Sequence, residues 1–196
     1  NLSNAIHLRK ELVKNGSIFQ TTSDTETIVQ LIAKSKRIKM VDKIIEALFK
    51  IQGGYALAIL TKKKLIGVRD PFGIRPLIIG KLNNSYILAS ETCALDIIGA
   101  KFIRSVENGE IVVITENGIE SIKPFPAMQE RPCIFEYIYF SRPDSFIKNK
   151  SVYEYRKKLG AELAKESHVE ADLIIPVPDS GVPASIGYAE KINKNI

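Results

Sequence analysis

Four short stretches of this chain carry residue types that can do chemistry. Ser23-Asp24-Thr25-Glu26 places a carboxylate where a helix would start. A carboxylate held there by a rigid loop can bind an ammonium group. The same residues also read as a capping box, with Ser23 or Asp24 as the cap and Glu26 completing it. Pro176-Val177-Pro178-Asp179-Ser180-Gly181 follows an apolar run, residues 173–177, that reads as a strand. Ligands gather at the carboxyl ends of strands in open α/β sheets, and a glycine-containing turn there can aim backbone N–H groups at a phosphate. The alternative is a plain strand–helix turn capped by Asp179 or Ser180. Cys133 opens a run of aromatic and apolar residues, 134–140, that reads as a buried strand. That run passes straight into Arg142-Pro143-Asp144-Ser145, a polar turn that a merely structural strand would not need. A [4Fe–4S] cluster takes about four thiolates, so Cys133 taken alone reads as a core residue. Asp70-Pro71-Phe72-Gly73 is a turn by its chemistry, with Arg75 expected to fix it by hydrogen bonds. His7 and His168 have no second ligand or carboxylate at useful spacing and read as surface helix positions.

The elements that must position these residues follow from periodicity. Ala5, Leu8 and Leu12 recur at helix spacing, and Asn15-Gly16 is a C-terminal stop. A second helix starts after Ser23 with Ile28, Leu31 and Ile32 on one face, and a third covers about residues 41–51. The period then shortens. Residues 55–61, 65–69, 77–82 and 86–90 read as antiparallel strands, and a short helix covers about residues 92–98. Residues 110–115 and 119–123 form a hairpin across Glu116-Asn117-Gly118, where Asn-Gly is a strong turn signal. The three prolines of residues 123–132 mark a domain junction. Beyond it the order is strand, helix (about residues 152–167), strand and helix (183–192), the opening of a parallel α/β domain.

Composition narrows the classes. The 196 residues are 45% hydrophobic and 26% charged, ordinary for a globular protein. No apolar run approaches the roughly 20 residues of a membrane span, so no membrane association is expected. The chain opens at Asn1 without a basic-then-apolar leader, and two cysteines make no disulfide framework. A reducing cytoplasm is the expected location. The net charge of +6 invites a nucleic-acid reading, but the excess is 20 Lys against 8 Arg, scattered rather than striped. Arg is the residue suited to bidentate phosphate and base contacts, so no nucleic-acid partner is expected.

Taken together, Ser23-Asp24-Thr25-Glu26, the run from Asp70 to Leu77, Ala89-Ser90-Glu91-Thr92-Cys93-Ala94-Leu95, residues 133–145 and residues 176–181 resemble one family, the amidophosphoribosyltransferases. These are glutamine-dependent enzymes that open purine biosynthesis. The resemblance implies an α/β fold in two parts. Residues 1–132 would be a class II glutaminase domain, an α+β layered N-terminal-nucleophile αββα sandwich lacking its start. Residues 133–196 would begin a type I phosphoribosyltransferase domain. It also implies roles. Asn1-Leu2-Ser3-Asn4 would be the tail of the loop that carries the oxyanion hole, and Asp24 would bind the α-amino group of glutamine. Asp179, Ser180 and Gly181 would form the loop at the pyrophosphate of phosphoribosyl pyrophosphate (PRPP), with Ser180 helping to position Mg²⁺. Cys133 would be the first ligand of a [4Fe–4S] cluster found in one branch of the family. Ser180 stands 47 residues beyond Cys133, a separation that fits that branch.

The family nucleophile is an amino-terminal Cys, so Cys93 is expected to be a small buried residue, and no catalytic residue is expected within 1–196. The full enzyme would turn PRPP, glutamine and water into 5-phosphoribosylamine, glutamate and pyrophosphate. Purine nucleotides would be its feedback inhibitors and a homo-oligomer its assembly. Residues 1–196 alone are expected to have neither activity. The rival readings are another class II glutamine amidotransferase and a non-catalytic PRPP-sensing regulator on the phosphoribosyltransferase fold.

Overall fold

A computed structural model describes residues 1–196. Three helices come first: α1 (Ala5–Lys14), α2 (Asp24–Lys34) and α3 (Met40–Leu48). Strands β1 (Ala56–Leu60) and β2 (Leu65–Arg69) follow, then β3 (Ile78–Leu82), β4 (Ser85–Ala89), α4 (Thr92–Ile97), β5 (Lys101–Ser105), β6 (Ile111–Thr115) and β7 (Gly118–Ile122). They make two antiparallel sheets, ordered β1-β2-β6-β7 and β4-β3-β5.

Side-chain alternation explains the layering. Successive residues of a strand face opposite ways, and β6 is apolar on both faces. Ile111 and Val113 pack with Ile66, Val68 and the apolar faces of α1, α2 and α3, including Leu8, Leu12, Ile28, Ile44 and Leu48. Val112 and Ile114 turn the other way, against Ile79 of the second sheet and Leu77 and Val106 that flank its strands. On that sheet's outer face Ile78 packs with Leu95 of α4 and Ala100. The order is helices, sheet, sheet, helix, the αββα arrangement. Ile44, Ile66, Val68, Ile79, Ile111 and Val112 are all completely buried. Each is worth about 1.5–3 kcal/mol relative to exposure.

Beyond β7 the chain differs from expectation in two places. Residues 134–140 are not a strand. Glu136–Phe140 form a short π-helical turn, with Ile138 N–H donating to the Ile134 carbonyl and Ser141 N–H to that of Glu136. No strand lies alongside to pair with, so the backbone satisfies its hydrogen bonds internally. The Glu136 side chain is drawn inward, while Phe135, Ile138, Tyr139 and Phe140 stay largely exposed. Residues 173–177 are extended but make no ladder. Their pairing is a single parallel bridge between Leu173 and Asn195. A strand is defined by its partners, and Ile175 and Val177 remain about four-fifths exposed (77% and 80%).

The two long helices form as expected: α5 (Val152–Glu166) and α6 (Val182–Ile192). They cross at glycines. A Cβ on Gly160 would lie 1.8 Å from the Ala184 carbonyl oxygen, and one on Gly187 would lie 1.8 Å from that of Lys157. The sequence reading missed β5, an edge strand that carries Lys101 and Arg104, and the small hairpin β8 (Phe146–Ile147) and β9 (Lys150–Ser151).

Candidate functional site

The candidate residues fall at three places. The first is the start of α2. Ser23 caps the helix, its hydroxyl accepting the Thr25 N–H at 3.3 Å. Glu26 does not complete a capping box on Ser23. Its carboxylate instead accepts the N–H groups of Gln20 and Thr21 and the Thr21 hydroxyl, which holds the incoming loop and keeps that carboxyl below its ordinary range. Asp24 is thereby left for another task. Its Oδ2 accepts the Leu2 N–H at 2.9 Å, which ties α2 to the first residues of the chain.

Those residues are fixed from the other side as well. Leu2 bridges Gly53, Ser3 N–H donates to the Gln52 carbonyl at 2.8 Å, and the Asn4 side chain both donates to Lys50 and accepts from Gln52. The approach is so close that a Cβ on Gly53 would lie 2.4 Å from the Asn1 carbonyl oxygen, and its φ of +124° also demands glycine. A carboxylate, a helix start and a rigid loop therefore meet at one point. That arrangement suits an ammonium-bearing substrate.

The second place is the junction. Asp70, fully buried, accepts N–H groups from Tyr55, Phe72 and Ile74. Burial nonetheless raises its carboxyl above the ordinary range, the N–H donors only partly opposing it. Arg69, not Arg75, fixes this turn, donating to the carbonyls of Arg75, Gly73 and Val106 at 2.9–3.0 Å. Arg75 reaches across to Glu136, Nε to Oε1 at 2.9 Å, and lies over the Phe140 ring. Cys133 follows, its N–H donating to the Ile74 carbonyl at 3.0 Å. It is half-buried at a cavity of about 520 Å³ lined also by Ile78, Phe102, Tyr137 and Phe146. Cys93 is buried on α4 with its sulfur 3.8 Å from the Glu91 carboxylate. No three His, Cys, Asp or Glu side chains gather to hold a metal ion. Cys133 could serve as one thiolate of a cluster, but residues 1–196 do not supply the set that a [4Fe–4S] centre needs.

The third place is the turn before α6. Gly181 occupies the N-cap position, and no side chain caps the helix. Neither Asp179 nor Ser180 plays the capping part, so their oxygens stay available. Asp179 is exposed, Ser180 and Gly181 half-buried. A helix N-terminus turns a positive dipole end to an anion, although here the Gly181 and Val182 N–H groups already donate to the Val177 and Asp179 carbonyls and Pro183 has none. Adjacent hydroxyl and carboxylate oxygens suit Mg²⁺, which usually takes one or two protein ligands alongside substrate phosphates. Asp24, Cys133 and Ser180 share no hydrogen bond and no cavity; the three places are separate.

Residues 1–96 match a glutamine amidotransferase domain. The chain is 50% identical over 196 residues to an amidophosphoribosyltransferase of Rhizobium etli and 47% identical over 190 residues to that of Bacillus subtilis. Each alignment covers 97% of this chain and 40% of the relative, so the chain spans about two-fifths of their length. Among solved structures, glutamine PRPP amidotransferase from B. subtilis, complexed with ADP and GMP, superposes on 100% of this chain and 43% of its own, with a TM-score of 0.95 and 46% identity. A structure described as the allosteric regulatory enzyme of purine biosynthesis superposes with a TM-score of 0.96 at 45% identity. No helix is long and apolar enough to cross a membrane. The same fold, at close to half identity along the chain, makes it similar throughout to a stretch of the amidophosphoribosyltransferases.

Proposed function

We propose that these residues belong to an enzyme that takes ammonia from glutamine and uses it to displace pyrophosphate from PRPP, giving 5-phosphoribosylamine and glutamate. The observation that carries this reading is the superposition on a PRPP amidotransferase over the whole chain at 46% identity. The likeness continues past residue 132, where other class II amidotransferases would diverge, and it covers the helix–sheet part that a regulator on the phosphoribosyltransferase fold would replace with a DNA-binding segment.

Residues 1–132 are the proposed glutaminase part and 133–196 the start of the phosphoribosyltransferase part. In the first, Asp24 binds the glutamine ammonium. Its charge is held in place by the Leu2 N–H, and the Gly53 contact keeps residues 1–4 rigid. Rigid placement of a remote group is what lets binding energy lower the barrier at the reacting amide. Cys93, buried against Glu91, is not proposed as the nucleophile. In the second part, Asp179, Ser180 and Gly181 receive the pyrophosphate of PRPP at the uncapped start of α6. Ser180 and Asp179 are the residues that would hold Mg²⁺, which spreads the charge of the departing pyrophosphate. Cys133 is proposed as one thiolate of a [4Fe–4S] cluster completed by cysteines outside residues 1–196. Purine nucleotides are proposed as regulators, since the B. subtilis neighbour was solved with ADP and GMP. A cytoplasmic homo-oligomer is the proposed working form.

The test is pyrophosphate release by the full-length protein. Glutamine, PRPP and Mg²⁺ together should give it, and omission of glutamine, with no free ammonia present, should abolish it. Release of glutamate alone, with PRPP left intact, would remove the reading.

A further inference from the structure

Two sequence stretches that the site does not use, Ser90-Glu91-Thr92 and Arg142-Pro143-Asp144-Ser145, meet in space. Glu91 Oε2 accepts both the Arg142 N–H and the Ser145 hydroxyl, each at 2.8 Å. Next to it the Thr92 hydroxyl oxygen accepts the Phe146 N–H, also at 2.8 Å. Ser145 is completely buried, and the Arg142 guanidinium folds back on Asp144 rather than competing for Glu91. Three donors within five residues are thus gathered onto the first turn of α4, at the edge of the second sheet.

That turn carries the rest of the chain. The Val152 N–H donates to the Ser145 carbonyl and the Tyr153 N–H to that of Pro143, so α5 starts directly on it. Arg156, 2% exposed, fastens α5 a second time through the carbonyls of Tyr137 and Ser141, each at 2.7 Å. Helix α5 in turn meets α6 with backbone against backbone at Gly160 and Gly187, a contact with no flexible side chain to absorb movement. Helix α6 begins at Gly181. From Glu91 to the Asp179–Ser180–Gly181 turn there is a continuous series of side-chain hydrogen bonds, backbone hydrogen bonds and helix–helix backbone contacts.

We infer that Glu91 is a positioning residue: its carboxylate latches the Arg142–Ser145 turn to the glutaminase sheet and so sets where the PRPP loop stands. This rests on the function proposed above. Charge-assisted hydrogen bonds to a single carboxylate are the strong kind, and losing them should be felt at the far end of the series rather than at the glutamine site.

In the full-length protein, Glu91→Ala should raise KM for PRPP by about tenfold, the effect of losing one or two hydrogen bonds to a charged group. PRPP-independent glutamine hydrolysis should stay within about twofold of wild type, since Asp24 and Gly53 are untouched. Glu91→Gln, which keeps an acceptor oxygen in place, should recover most of the PRPP affinity. Hydrogen exchange should quicken at Arg142 and Phe146 and across residues 181–185. An unchanged KM for PRPP, or parallel loss of both activities with no rescue by Gln, overturns the inference. Should Glu91→Ala not fold, Thr92→Val reads the same split in smaller degree, and no split there also overturns it. If wild type itself makes no PRPP-dependent product, the functional reading fails separately. The exchange pattern then decides the latch, which is refuted if residues 181–185 are unaffected.

Discussion

Gly187→Ala tests how the two long helices are held together. A Cβ there would lie 1.8 Å from the Lys157 carbonyl oxygen and 2.7 Å from its carbon. Ordinary contact begins near 3.4 Å, so α5 and α6 must separate by about 1.6 Å, the difference of the two distances. The obstruction is backbone, which cannot rotate away. The cost therefore belongs at the upper end of the ~1–3 kcal/mol seen for overpacking. Alanine gains ~1 kcal/mol over glycine in a helix interior, which offsets part of it. The net loss should be ~1–2 kcal/mol, or ~0.5–1 M in the urea midpoint for a slope of ~2 kcal/mol/M. Urea unfolding of the 196-residue chain, followed by circular dichroism, reads this directly. Gly160→Ala, blocked by the Ala184 carbonyl oxygen at the same 1.8 Å, should behave alike, and the double variant should cost less than the sum because one separation relieves both clashes. A midpoint that stays put or rises would show that the helices pack looser than described here.

Other outcomes follow from the separate sites. Asp24→Ala in the full-length protein should weaken glutamine-dependent synthesis by about tenfold or more while sparing synthesis from free ammonia, because only glutamine has an ammonium to hold; equal loss of both, in parallel assays, would assign Asp24 a folding role through Leu2. Ser180→Ala should raise the Mg²⁺ and PRPP requirements and leave basal glutamine hydrolysis intact, as steady-state kinetics would show. Burial opposes the charge on Glu110, but the Arg104 guanidinium, the Glu107 N–H and the Ser121 hydroxyl outweigh it and hold its carboxyl below the ordinary carboxylate range. A depressed carboxyl adds stability above its unfolded value and loses it as pH falls through the folded one. The stability gap between wild type and Glu110→Gln, measured by urea unfolding, should therefore be wide at neutral pH and shrink as the solution is acidified through the lowered folded-state value. Cys133→Ser should abolish iron binding if the full-length protein contains about four iron and four sulfide per chain; iron content unchanged by the substitution would return Cys133 to a plain packing role.

How legible the molecule was depends on what each segment leans on. Helices α1 to α3 and strands β1 to β4 and β6 announce themselves because their apolar faces are complete, as in Leu8 with Leu12 or the all-apolar β6. Strand β5 does not, since Lys101, Phe102 and Ile103 are all exposed and its pairing with β3 shifts register at Ile79 and Gly80. Residues 134–140 misled because aromatic and branched residues suit a strand, while the deciding fact is a buried Glu136 pulled toward Arg75 from a distant turn. Nothing local signals that pairing. Residues 173–177 have strand chemistry but lack neighbours along both edges apart from the bridge to Asn195. Asp24 was singled out by the family resemblance; its place before an apolar helix face alone also reads as a cap. Its link to Leu2 and the Gly53 approach were not foreseen, since both depend on chain segments brought together by the fold. Arg69 takes the part expected of Arg75 for the same reason: spacing within a turn does not say which guanidinium turns back and which reaches out.

The most direct test of the account is one stoichiometry. Full-length protein given amide-¹⁵N glutamine, PRPP and Mg²⁺ should form glutamate and pyrophosphate in equal amounts, with the label on the amine of the phosphoribosyl product. Glutamate formed without pyrophosphate, or an amine carrying no label, would contradict it.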